Sequence, residues 1–73
     1  MRIQVILRGG LAADGEPQHR LTVKLPWGAT IEALLKELSI PSVSVQMAMV
    51  NGRPVSRTVT LCEGDSVVLA GAG

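Results

Sequence analysis

Three features of this 73-residue chain could do chemistry: a single Cys62, a single His19, and the carboxylate that follows "LAGAG". Cys62 adjoins Glu63, whose charge disfavours a thiolate, and no basic residue stands beside it. His19 has no partner evident in the sequence, so a Cys/His nucleophilic pair requires the fold to bring the two together. One Cys and one His also fall short of a metal ligand set. The plain reading is a packed thiol and a surface imidazole, with no catalytic residue, no metal and no cofactor expected. The end is different. Gly71, Ala72 and Gly73 carry nothing larger than a methyl group, and glycine lets a backbone approach closely where a Cβ would not fit. Such an end suits entry into a narrow space; the alternative is a frayed terminus with no chemical duty.

Composition restricts the setting. A chain this short buries only about 60% of its unfolded surface, so it must pack efficiently. It is 47% hydrophobic with one Trp and no Phe or Tyr, which makes the core aliphatic. Seven Lys and Arg face six Asp and Glu, a net +1. With no basic stripe and no aromatic ladder, nucleic acid is not an expected partner. No apolar run reaches membrane-spanning length and no signal-peptide pattern opens the chain. One cysteine excludes an internal disulfide and fits a reducing cytoplasm.

The elements that must position the end follow from periodicity. "RIQVIL" places Ile3, Val5 and Leu7 on one face, and "HRLTVKL" does the same with Leu21, Val23 and Leu25; they predict an antiparallel pair joined by a long loop, "GGLAADGEPQ". "TIEALLKEL" predicts a helix of two to three turns, capped by Thr30, with Ile31, Leu34, Leu35 and Leu38 as one stripe, a Glu32–Lys36 pair on the wet face, and Pro41 as the stop. "VSVQMAMVNGRPV" predicts a strand, an Asn51-Gly52 turn and a short strand weakened by Pro54. A Glu63-Gly64-Asp65 turn then leads into a last strand through Val67 and Leu69. The predicted core is Ile3, Val5, Leu21, Val23, Ile31, Leu34, Leu35, Leu38, Val50, Leu61, Val67 and Leu69. If that strand stops at Leu69, Ala70 to Gly73 form a free tail reaching roughly 13 Å.

In this order and spacing, "RGGL", "PWGATIEALLKEL", "MVNGRPV" and "LCEGDSVVL" resemble the MoaD/ThiS-type sulfur carriers of the ubiquitin-like β-grasp group. The resemblance implies an α+β fold over residues 1–73: a mixed five-stranded sheet around one helix, first and last strands parallel and central. It further implies a non-enzymatic carrier. An adenylating enzyme of the MoeB/ThiF type would activate the carboxylate of Gly73, a persulfide sulfur would displace AMP, and a sulfur-acceptor synthase would take the thiocarboxylate sulfur toward molybdopterin, thiamin or a related product. Gly71 and Ala72 would be the slender approach. The family pattern ends Gly-Gly, so Ala72 adds a methyl in a tight passage. The competing reading is a β-grasp interaction module that has lost this chemistry.

The same alignment directs Ala48 and Val50 toward the helix and leaves Met47, Met49 and Val68 on the open sheet face as a partner-docking surface. One methionine tucked inward at a bulge is the alternative. Trp27, between Pro26 and Gly28, is read either as a lid over the helix N-terminus or as an exposed anchor for a partner.

Overall fold

The structure, a computed structural model, describes residues 1–12 and 16–72. Five strands form one sheet: β1 (Arg2–Arg8), β2 (Gln18–Lys24), β3 (Val45–Val50), β4 (Arg53–Pro54) and β5 (Ser66–Gly71), in the order β2-β1-β5-β3-β4. β1 runs parallel to β5, and every other pairing is antiparallel. The element order is as the sequence predicts, and the parallel, inner placement of the first and last strands is as the resemblance implies.

Alternation puts Ile3, Val5 and Leu7 of β1 and Val67 and Leu69 of β5 beneath the helix α1 (Ile31–Glu37), all buried. Ile31, Leu34 and Leu35 project from α1 into the same core. Nine of the twelve predicted core residues are buried; Leu21, Leu38 and Val50 are only partly so and pack against the margin. Five further apolar residues join the core: Leu7, Leu25, Ala29, Val45 and Ala48. The last two reveal a bulge. Val45 pairs with Gly71 but Met47 pairs with Ala70, so Gln46 is an extra residue and the facing reverses. That reversal lets Val45 and Ala48, three apart, both point inward.

Helix α1 starts as predicted, with Thr30 Oγ1 accepting from the Ala33 N–H at 3.3 Å. Two more orphan amides, of Ile31 and Glu32, donate to the carbonyls of Val59 and Arg57. The end comes before Pro41. Leu38 is the C-cap and Ser39 adopts φ 56°, while Ser39 N–H donates to Lys36 O and Ile40 N–H to Leu35 O. This is a Schellman motif built on serine where glycine is favoured, because a Cβ is disfavoured in the left-handed region. Ser39→Gly is therefore expected to stabilise the fold by about 0.5–1 kcal/mol, read as a melting temperature a few degrees higher. An unchanged or lowered melting temperature would count against strain at this cap. Glu32 and Lys36 are both exposed but do not pair: among the described residues the one contact between a basic and an acidic side chain is His19 Nδ1 with Glu16 Oε2, at 3.7 Å.

Candidate functional site: the strand end and the open sheet face

The end of the chain is held more firmly than its composition suggests. β5 continues to Gly71, with Ala70 paired to Arg8 and Met47, and Gly71 paired to Val45. The expected four-residue free tail is therefore corrected: Ala70 and Gly71 belong to the sheet. Ala72 is exposed beyond it, and Gly73, the predicted reactive residue, lies outside the described residues.

What holds the strand end is the "GG" of the first loop. A 3₁₀ turn over Gly9–Leu11 lies directly on the backbone of residues 71 and 72. A Cβ on Gly9, whose φ is 63°, would stand 2.3 Å from the carbonyl oxygen of Gly71; one on Gly10 would stand 2.1 Å from that of Ala72. The fit is reciprocal, since a Cβ on Gly71 would meet Leu11 Cγ at 2.8 Å and the Ser44 carbonyl oxygen at 3.0 Å. No side chain fits between these backbones. Beside them opens a surface pocket of about 390 Å³, lined by Gly10, Leu11, Ser39, Ile40, Pro41, Ser44 and Ala72. The far wall of this region is braced by Arg57, whose Nη2 donates to the carbonyls of Ser42 and Val45.

At the opposite end of the sheet the two turn motifs prove to be one structure. Asn51 (φ 51°) and Gly52 (φ 83°) make the β3–β4 turn. Asn51 Nδ2 donates to Asp65 Oδ1 at 3.0 Å, and Asn51 Oδ1 accepts from the Ser66 N–H at 3.0 Å. The other carboxylate oxygen of Asp65 accepts from the Cys62 N–H at 2.8 Å. These bonds fix where β5 begins, and so where it ends.

The predicted docking face is assembled by register. Ile6, Val68, Met49 and Pro54 form one row across β1, β5, β3 and β4, with Ala70 and Met47 in the next. Met47 is 49% exposed; Met49, Val68 and Ile6 are half-buried, all on the side away from α1. The bulge is real, yet neither methionine turns into the core. Ile6 was not singled out in the sequence, although its alternation with Val5 and Leu7 carried the signal.

Trp27 is 75% exposed, so it does not lid the core; buried Leu25 and Ala29 flank the turn instead. His19 lies opposite Leu7, near the end of β1, whereas Cys62 is exposed next to Glu63, whose carboxylate accepts from the Arg2 N–H at the start of β1. The fold thus keeps Cys62 and His19 apart. Among the described residues no group of three His, Cys, Asp or Glu is placed to hold a metal ion, and no helix is long and apolar enough to cross a membrane.

No family model matches the sequence, and neither does any curated protein. Among solved structures, a ubiquitin-like protein from the hyperthermophilic archaeon Caldiarchaeum subterraneum superposes with a TM-score of 0.60, covering 100% of this chain and 97% of its own, at 20% identity. The fold is the ubiquitin-like β-grasp. Within a β-grasp, β5 is the middle strand, and its end is the feature the glycine turn and the Arg57-braced segment surround.

Proposed function

We propose that the chain is a sulfur carrier of the MoaD/ThiS type, with Gly73 as the modified residue, Gly71 and Ala72 as the approach, and Met47, Met49 and Val68 on the docking face. The observation that carries this reading is the delivery of the chain end. The middle strand runs to Gly71, and past Leu69 the chain carries no side chain bulkier than a methyl group. In this scheme the carboxylate oxygen attacks the α-phosphorus of ATP bound to a MoeB/ThiF-type enzyme, and pyrophosphate leaves. A donor persulfide then displaces AMP, and a thiol reductant cleaves the acyl disulfide to leave the thiocarboxylate for a sulfur-acceptor synthase in molybdopterin, thiamin or related biosynthesis. The chain itself presents the reacting end, and its setting is the cytoplasm.

The reading is tested by incubating the protein with ATP, a MoaD- or ThiS-activating enzyme and a sulfur donor, then weighing it. Exchange of one oxygen for sulfur is expected, faster in Ala72→Gly, because a crowding methyl costs about 1–3 kcal/mol in a tight passage. Neither adenylate nor mass gain, in either protein, would leave the interaction module as the better account. That second reading is favoured by Ala72 itself and by the number of strand-end residues engaged in the sheet.

Docking is tested separately. Met49→Asp is expected to weaken binding to the activating enzyme by tenfold or more, since an unpaired carboxylate must be desolvated there. On the free sheet face it remains hydrated, so the melting temperature should stay within a few degrees of wild type. An unfolded Met49→Asp would instead place the residue in the core.

A further inference from the structure

The near-neutral net charge conceals a segregation. Of the seven Lys and Arg, five (Arg2, Arg8, Arg20, Lys24 and Arg53) lie on strands, and no strand contains Asp or Glu. The register puts four of these cations on the open face, because they share the parity of Ile6. Arg2 is opposite Lys24, Ile6 is opposite Arg20, and Arg8 neighbours Ala70. All four are exposed, and none is in an ion pair with another described residue.

Like charges opposite one another across strands are destabilising. Glu63, which accepts from the Arg2 N–H, tempers the Arg2–Lys24 corner. Arg8 and Arg20 flank Ile6 with no such neighbour among the described residues. The face therefore combines an apolar row (Ile6, Val68, Met49) with a basic border on the β1–β2 side.

We infer that this face receives a protein surface in which an apolar patch is bordered by carboxylates. Such a partner buries the row and relieves the repulsion among the cations, and long-range attraction speeds the encounter. Nucleic acid uses the charges but not the apolar centre, no strand carries Phe, Tyr or Trp for base stacking, and His19 of β2 pairs with inward-facing Leu7 rather than with a residue of the open face. A second copy docking by the same face would set cation against cation. The inference rests on the docking face proposed above, but not on the fate of the carboxylate.

The test uses the full chain, isotope-labelled for NMR, and two amphipathic helical peptides with the same leucine stripe, one bordered by glutamates and the other by lysines. The glutamate peptide is expected to shift the amides of Ile6, Arg20, Val68 and Met49. It should bind at least about tenfold more tightly than the lysine peptide, and more weakly at high salt. The double substitution Arg8→Glu/Arg20→Glu should reverse the preference, while Lys36→Glu on the helix should leave it unchanged. Equal binding of the two peptides, no binding, or shifts confined to α1 would overturn the inference. So would stronger shifts at the face from a single-stranded oligonucleotide than from the glutamate peptide. No ATP or activating enzyme enters this experiment, so its failure is separate from that of the mass assay.

Discussion

Leu35→Ala is expected to lower the unfolding free energy by about 2–5 kcal/mol, a large share of what a domain of this size possesses. Leu35 is 2% exposed and belongs to the stripe by which α1, only seven residues long, is anchored to the sheet. A helix this short has little stability of its own, so its packing face must hold it. Truncation removes the transfer energy of the lost methyl groups and opens a cavity between helix and sheet. With one Trp and no Phe or Tyr, no large neighbouring ring can move in to fill the space. Urea unfolding measures the effect as a lower midpoint at unchanged slope. A loss below about 1 kcal/mol would mean that α1 is not anchored through this position.

Gly9→Ala is expected to cost about 2–4 kcal/mol, and its consequences should concentrate at the far end of the chain. Two penalties combine. A φ of 63° is unfavourable for a residue with a Cβ, and that Cβ would stand 2.3 Å from the Gly71 carbonyl oxygen. The neighbour is backbone, so no side chain can rotate away. Either the turn or the end of β5 must shift. Hydrogen exchange distinguishes this from general destabilisation: the amides of Ala70 and Gly71 should lose at least about tenfold more protection than those of Val67 and Leu69. Uniform loss along β5 would mean that the glycine turn does not specifically hold the strand end. Under the carrier reading the same variant also alters the direction in which the carboxylate leaves the sheet, and adenylation should slow.

The architecture was legible because each element has a local cause. Alternation in "RIQVIL" and "HRLTVKL", the 3–4 spacing of Ile31, Leu34, Leu35 and Leu38, the Thr30 cap and the Asn51-Gly52 pair are short-range constraints, and each produces its predicted element, with only Leu21 and Leu38 left at the core's margin. Where local rules overlapped, the structure decided otherwise. Pro41 was a sufficient stop, yet the left-handed Ser39 ends the helix first. Trp27 had the size to cover the core, but Leu25 and Ala29 do so from the same segment, leaving the ring exposed.

By itself the sequence determined the order of the strands and helix, the aliphatic composition of the core and the methyl-sized bulk of the chain end, because these depend on residues within a few positions of one another. Tertiary structure decided the rest, because it depends on residues far apart in the chain. Only the folded chain lays Gly9 and Gly10 on the backbone of Gly71 and Ala72, making two loop glycines the clamp of a strand end. Asn51 and Asp65 read as signals of separate turns until folding joins them in one polar cluster. The extra residue Gln46 reverses the facing of β3, so that Val45 and Ala48 both turn inward while the methionines stay on the open face. Charges that nearly cancel along the sequence separate in space, because all five strand cations enter one sheet and, among the described residues, Glu16, Glu32, Glu37, Glu63 and Asp65 all lie outside its strands.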